Sequence, residues 1–137
     1  MNIHWKSFFS GLCSLWLVGC GPAAKDDTIR IAVIPKGTTH EFWQSIHAGA
    51  RKAEKELTAQ GKSVEIIWKG PLKEDDRDQQ MGLVESFTVK GVDGIVLAPL
   101  DAKALVRPVE SAQKSGIPVV IIDSGLETTN YVSFVAT

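Results

Sequence analysis

The stretch that decides the fold is IRIAVIPKGTTHEFW, residues 29–43. Its opening run, IRIAVIP, is rich in β-branched side chains and apolar enough to form a buried strand. From Phe42 onward, apolar residues recur at spacings of three and four, which predicts one apolar face of a helix. The members of this stripe are Phe42, Ile46, Ala50, Ala53 and Leu57. A strand that passes directly into a helix is the first half of a βαβ unit.

The same alternation continues along the rest of the sequence. Further strands and helices are predicted at residues 63–68, 75–90, 92–99, 101–115, 117–123 and 131–137. Gly61, Gly91 and Gly116 follow the helical stretches, where a left-handed residue commonly ends a helix. Pro108 lies inside the third helical pattern, so a kink or a late helix start is expected there. The pattern predicts an α/β fold: an open, doubly wound parallel sheet, or Rossmann-like lobe, with helices on both faces and right-handed crossovers.

Composition limits the number of domains and the classes of partner that the chain can have. The chain has 137 residues, a formal net charge of -1 and 44% hydrophobic residues, which is an ordinary globular composition with room for one domain. It carries no basic block of the kind that binds nucleic acid, so no nucleic-acid partner is predicted.

The first 19 residues have the order of a secretory signal: a lysine, an apolar run and small residues. The apolar run is shorter than the ~20 residues that a membrane-spanning helix needs. The sequence LVGC, ending at Cys20, resembles the lipobox of bacterial lipoproteins, which implies cleavage before Cys20 and lipid attachment to it. A plain secretory signal with an incidental cysteine is the alternative. We therefore expect a signal at residues 1–19, a tether at 20–28 and an exported protein, periplasmic or at the cell surface, that is anchored to the membrane as a lipoprotein.

The carboxyl ends of parallel strands share one edge of the sheet, and ligands in this architecture bind in the crevice outside that edge. Several polar and aromatic side chains follow the predicted strands: Thr39, His40, Phe42, Trp43, Asp101, Asp123 and Ser124. Aromatic faces pack on the C–H faces of sugar rings, while hydroxyls and carboxylates bind sugar O–H groups. Apolar walls with a few convergent polar groups are what a small-ligand site requires, so these residues are predicted to bind a small polyhydroxylated molecule.

Each of these residues also has a structural explanation. Phe42 heads the apolar stripe and is either core or ligand wall. Trp43 lies about 100° around the helix from it, so the two rings cannot both be central core, and Trp43 is the better ligand candidate. His40 and Asp101 could cap helices, a role that suits Asp101 better than ligand contact. Asp123 has no following helix to cap and is the stronger carboxylate candidate.

Catalytic and cofactor signatures are absent from the sequence. The turn KGTTHE has a single glycine, so neither a dinucleotide loop nor a phosphate loop is present. No nucleophile elbow appears, and no cysteine lies within residues 29–137. His40 and His47 are two helical turns apart, too far to share one metal ion easily. The acids around Asp76 are expected to be solvated residues of a helix start, including Glu74. We predict a binding protein without cofactor or metal, not an enzyme.

The segments IAVIPKGTTHEFWQSIHAGARKAEKEL, VDGIVLAPLDAKAL, GIPVVIIDSG and YVSFVAT occur in this order. Together they are similar to the periplasmic sugar-binding proteins of ribose-type ABC importers, which share their ligand-binding fold with LacI-type regulators. The resemblance implies two α/β lobes that close on a solute and then dock on a membrane permease. Residues 29–137 would form the N-terminal lobe, whether the chain is a fragment or a truncated gene product. This lobe would supply only one wall of the solute cleft, and one wall alone is expected to bind solute weakly or not at all.

Carried over by position, Phe42 and Trp43 match the aromatic pair that sandwiches the sugar, and Asp123 matches an aspartate after the fourth strand. His40 stands where a polar contact, often Asn, is usual. The next position after the aspartate commonly holds Arg in ribose-type members and holds Ser124 here. The bidentate fork that an Arg offers to sugar hydroxyls is therefore missing.

Other functions remain open at this stage. The same lobe pair could report its ligand state to a membrane receptor or kinase. An exported α/β enzyme would need a nucleophile and base in the first half of the chain, and none is visible. A LacI-type repressor is disfavoured because an export signal occupies the place of its DNA-binding helices.

Overall fold

A computed structural model describes residues 27–136, which form one sheet with three helices. The five strands are β1 (Ile29–Ile34), β2 (Val64–Trp68), β3 (Gly94–Leu97), β4 (Val119–Ile122) and β5 (Ser133–Val135). All pair in parallel, in the order β2-β1-β3-β4-β5. The chain runs outward from β1 to β2 and then back across to β3, so the strand order reverses between β1 and β3. The predicted open parallel sheet is confirmed, and its crevice lies at this switch point.

The helices are α1 (Glu41–Ala59), α2 (Arg77–Lys90) and α3 (Val106–Lys114), and they cover both faces of the sheet. Ala32 and Ile34 of β1 belong to the main core cluster, to which α2 and α3 contribute. Val33 lies between them and must face the other way, since strand side chains alternate. It is in register with Trp68, whose ring stacks on His47 of α1 with centroids 4.5 Å apart. One face is therefore packed by α1 and the other by α2 and α3.

Helix ends follow the sequence expectations closely. Gly61, Gly91 and Gly116 have φ values of 82°, 66° and 82°, the left-handed conformation expected after a helix. Of the two possibilities for the third helix, the structure has the late start: α3 begins at Val106, so Pro108 sits in the first turn. Proline is tolerated there because the first N–H groups of a helix have no intrahelical acceptor.

The inward stripe of α1 differs from the predicted one. Trp43 is 2% exposed and heads the stripe, whereas Phe42 is 44% exposed. Ala53, predicted to face inward, is exposed, and Glu54 beside it is partly buried. The prediction that Phe42 begins the core stripe is therefore wrong. The real stripe keeps Ile46, Ala50 and Leu57 but has Trp43 in place of Phe42 and Glu54 in place of Ala53. The indole is the larger group to bury, and its N–H finds an acceptor in the loop after β2.

The remaining boundaries differ by a few residues. The fourth and fifth strands are shorter than the predicted stretches 117–123 and 131–137. The expected signal at residues 1–19, most of the tether at 20–28 and the lipidation site Cys20 lie outside the described residues. Within residues 27–136, none of the helices combines the length and apolar character that crossing a membrane requires.

Gln80 of α2 is fully buried and joins the carboxyl ends of two neighbouring strands. Its Nε2 donates to the carbonyl oxygens of Pro35, just after β1, and Ala98, just after β3, at 3.0 and 2.8 Å. Its Oε1 accepts from the N–H of Leu100 at 2.8 Å. One side chain thus satisfies three backbone groups beyond the sheet ladder, where unpaired polar groups would be costly.

The outer edge of β2 is occupied by side chains of α1. Glu54 Oε1 accepts from the N–H of Ile66 at 2.7 Å, and Arg51 Nη1 donates to the Ile66 carbonyl at 3.2 Å. The same guanidinium pairs with Glu54 Oε2 at 2.8 Å. The hydrogen bond from Ile66, with that from Arg51, lowers the pKa of Glu54. These bonds use the outward-facing backbone groups at the middle of the edge strand.

We expect Gln80→Leu to lower the free energy of unfolding by roughly 3–5 kcal/mol, because it keeps the side-chain volume but leaves three backbone groups without their partner. Gln79→Leu is the matched control, since Gln79 is exposed on the same helix. Urea denaturation followed by circular dichroism measures both variants. Equal stabilities for the two variants would show that Gln80 does not hold the strand ends.

Candidate ligand-binding site

A cavity of about 410 Å3 opens at the carboxyl edge of the sheet and gathers most of the predicted site. Its lining residues are Lys36, His40, Phe42, Trp43, Glu74 and Asp123. Lys36 lies just beyond β1, and Asp123 directly follows β4, so the topology itself brings them to this edge. Four of the seven predicted ligand residues therefore meet in one cavity.

The loop after β1 is tied to the loop after β2. The Thr38 hydroxyl donates to the Pro71 carbonyl at 3.2 Å, and the Thr39 hydroxyl donates to the Leu72 carbonyl at 3.3 Å. Thr39, predicted as a ligand contact, is not among the cavity-lining residues, and its hydroxyl already has a partner within the protein. Thr39 therefore links the loop after β1 to the loop after β2.

The two aromatic rings form an edge-to-face pair, with centroids 4.9 Å apart and planes at 80°. Phe42 is the exposed ring, and Trp43 is buried but still lines the cavity. The sequence ranking, which favoured Trp43 over Phe42 for ligand contact, does not match this exposure. The phenyl ring offers the larger accessible surface, and the indole forms the wall behind it.

Glu74 is a site residue that the sequence interpretation missed. Its Oε1 accepts a hydrogen bond from the indole Nε1 of Trp43 at 2.7 Å. Glu74 is exposed, as expected, but the expectation that it belongs to a helix start is wrong, because α2 begins later, with Asp76 as its N-cap. The acid run contains no signal that distinguishes Glu74 from its neighbours, since the loop geometry alone selects it.

Lys36, Asp123 and Ser124 form a compact polar group on the other side of the cavity. Lys36 Nζ lies 2.7 Å from Asp123 Oδ2 and donates to the Ser124 hydroxyl. Ser124 Oγ donates to the same carboxylate at 2.9 Å. Asp123 has φ 66°, a left-handed conformation that is uncommon for a residue with a side chain. Lys36 was not predicted as a site residue, although its place after β1 could have suggested a partner for a strand-end carboxylate.

The surroundings of Asp123 favour its charged form. The hydrogen bond from Lys36 and, more weakly, that from Ser124 hold the pKa of the Asp123 carboxyl below its usual value, against the opposing effect of partial burial. The carboxylate therefore stays ionised at neutral pH and remains a hydrogen-bond acceptor.

His40 is the N-cap of α1, because its Nδ1 accepts from the N–H of Phe42 at 3.2 Å. The capping alternative is therefore what the structure has, and the ring still lines the cavity. The cap and the cavity wall are compatible, since only one ring nitrogen serves the helix.

Asp101 lies apart from the main cavity. Its Oδ1 accepts from the N–H groups of Lys103 and Ala104, at 2.9 and 2.7 Å. The hydrogen bonds from Ala104 and then Lys103 lower the pKa of Asp101. It lines a neighbouring polar cavity of about 410 Å3 with the acidic loop at residues 74–78. The structure thus makes Asp101 the cap of the turn before α3 and does not bring it to the predicted ligand group.

The aromatic pair also borders an apolar hollow of about 250 Å3 on the α1 face of the sheet. Its other walls are Ile46, Ile122, Asp123, Val135 and Ala136. The two rings therefore line both the cavity at the carboxyl edge and the apolar hollow beside it.

The groups at this edge are of kinds that contact small molecules. The cavity offers the exposed ring of Phe42, two carboxylates and one ammonium group. Among residues 27–136, no three His, Cys, Asp or Glu side chains come together as a metal site would require. An apolar wall with a few fixed polar groups is the composition of a small-molecule site.

Comparison with known proteins gives a consistent result. A family model described as "Periplasmic binding protein domain" matches residues 31–137. The D-ribose/D-allose-binding protein of Pseudomonas aeruginosa is 39% identical over 95 residues, covering 69% of this chain and 29% of that protein. The D-allose-binding periplasmic protein of Escherichia coli is 34% identical over 130 residues, covering 95% of this chain and 39% of that protein.

A solved structure agrees with the sequence matches. The carbohydrate transporter solute binding protein from Agrobacterium radiobacter, in complex with D-arabinose, superposes with a TM-score of 0.74 at 36% identity. The match covers 80% of this chain and 35% of that one, so the chain spans about a third of the length of such relatives. The resemblance seen in the sequence is confirmed, and the chain belongs to the periplasmic binding protein family.

Proposed function

We propose that the chain supplies one wall of the solute cleft in the binding component of an ABC transporter, which takes up a sugar or sugar-like molecule and delivers it to a membrane permease. The observation that carries the proposal is the cavity at the carboxyl edge, where the exposed ring of Phe42 and the ionised carboxylate of Asp123 face one space. A phenyl face suits the C–H side of a sugar ring, and a carboxylate suits its hydroxyls.

The relatives support the class of ligand. The proteins reported above bind D-ribose, D-allose or D-arabinose according to their names. In this chain, Ser124 stands where ribose-type members commonly carry Arg, and the ammonium of Lys36 reaches the same place from β1. An ammonium is a point charge without the planar fork of a guanidinium, so the hydroxyl pattern it selects should differ from that of ribose-type sites.

The location follows from the family. Periplasmic binding proteins act outside the cytoplasm, and the signal-like residues 1–19 fit this. Attachment through a lipid on Cys20 is the further step that we propose, on the strength of the LVGC sequence. The anchor would keep the binding protein close to the permease that it serves.

A single wall should bind weakly, because a small ligand needs burial on most of its surface for tight binding. We expect calorimetric titration of the 137-residue chain with neutral pentoses, hexoses and polyols to give dissociation constants weaker than the micromolar range. Micromolar binding would contradict the one-wall interpretation.

Amide NMR shifts at tens of millimolar sugar should then locate the weak binding. We expect shifts around Phe42, Trp43 and Asp123, and their loss in Phe42→Ala. Phe134→Ala is the matched control, since Phe134 is 46% exposed and lies outside the cavity, against 44% for Phe42. Sugar-induced shifts confined to amides away from these residues would contradict the proposed function.

The ion pair between Lys36 and Asp123 predicts a specific dependence of stability on pH. The folded pKa of Asp123 is held below its unfolded value of about 3.9, so the ionised carboxylate stabilises the fold above that pH. This contribution is lost as pH falls through the folded pKa. The difference in unfolding free energy between the wild type and Asp123→Asn should therefore be full at neutral pH and shrink below about pH 4.

Urea denaturation at a series of pH values measures this difference. In a Lys36→Met background, the effect of Asp123→Asn should vary much less with pH, because the principal partner of the carboxylate is gone. The same pH dependence in both backgrounds would show that Lys36 is not its cause.

A further inference from the structure

We propose that Glu74 is a positioning residue that fixes the indole of Trp43, and through it the ring of Phe42, in the orientation that walls the cavity. The role of these rings as a ligand wall rests on the proposed function. The positioning itself rests on contacts within the protein and can be tested without a ligand.

The only polar group of the indole, its N–H, has Glu74 as its hydrogen-bond acceptor. Trp43 is 2% exposed, and a buried indole N–H needs an acceptor. Glu74 Oε1 provides it at 2.7 Å, in the range of charge-assisted hydrogen bonds. Because Phe42 packs on Trp43 edge-to-face, the plane of the indole also sets the plane of the exposed phenyl ring.

The side chain of Glu74 passes close to the loop after β1. A Cβ added to Gly37 would lie 2.9 Å from Glu74 Cγ, so the absence of a side chain at Gly37 lets Glu74 approach. The two threonine hydrogen bonds described above tie the same pair of loops together. Glu74 therefore reaches α1 from a loop that is tied to the loop after β1 at Pro71 and Leu72.

The helix that follows does not use Glu74. The N-cap of α2 is Asp76, whose side chain accepts from the N–H of Gln79 at 2.9 Å, and the acid in its first turn is Asp78. Glu74 precedes these positions, and its hydrogen bond is to α1. Stabilisation of a helix start therefore does not explain the contact.

The indole N–H signal in 15N-resolved NMR of the 137-residue chain tests the proposal, with Trp43→Phe used for assignment. Glu74→Gln keeps an oxygen acceptor and should preserve the position and slow hydrogen exchange of the Trp43 signal. Glu74→Leu should shift it and speed its exchange at least tenfold, and Asp75→Asn is the control that should change nothing. A Trp43 signal that is the same in Glu74→Leu as in the wild type would overturn the proposal.

If Glu74→Leu does not fold, Gly37→Ala tests the same contact through a change in the loop after β1. The added methyl group should displace Glu74 and move the Trp43 signal in the absence of any change to Glu74 itself. Gly82→Ala is the matched control, because an added Cβ there meets nothing within 4 Å. An unmoved Trp43 signal in Gly37→Ala counts against the proposal.

Sugar titrations on the same samples separate this inference from the proposed function. Glu74→Leu should weaken whatever sugar binding the wild type shows by about three- to tenfold, and Glu74→Gln should restore most of it. If the indole signal behaves as expected and sugars shift only amides away from Phe42 and Trp43, the positioning role stands and the proposed function fails. If Glu74→Leu binds sugar as the wild type does, Glu74 does not position the ligand wall.

Discussion

A parallel sheet brings the carboxyl ends of all its strands to one edge, where backbone groups beyond the last ladder bond need other partners. Here Gln80 supplies them for β1 and β3, with three hydrogen bonds from one fully buried side chain. The two strands on either side of the switch point therefore end at a fixed separation. Lys36 and the loop before α1 start from one of these ends, so the geometry of the cavity depends on a residue that does not line it.

The architecture was predictable from the sequence because its signals are local. Runs of β-branched residues indicated the strands, and glycines in left-handed conformation indicated where helices end. The phase of α1 was not predictable in the same way. A stripe headed by Phe42 and one headed by Trp43 share Ile46, Ala50 and Leu57, so periodicity alone cannot separate them. The choice depends on Glu74, which lies in a loop that local patterns do not position.

The site was predictable to the extent that topology determines it. Asp123 and His40 follow parallel strands and had to lie at the carboxyl edge, and both line the cavity. The side-chain partners were not predictable, because they depend on loop conformation. Lys36 comes from β1 to neutralise a carboxylate after β4, across the end of the intervening strand β3. The sequence correctly predicted that Asp101 lies at the carboxyl edge. Its carboxylate, however, accepts hydrogen bonds from the backbone of the following turn.

The outward-facing backbone of the edge strand β2 is partly occupied by side chains of α1. At β2, an incoming strand would have to displace both Arg51 and Glu54 from Ile66. Open-ended polymerisation by strand pairing requires a receptive edge on each side of the molecule, so that every added copy offers a new one. With the middle of β2 occupied in this way, that edge is not receptive, so strand pairing cannot continue from copy to copy through it.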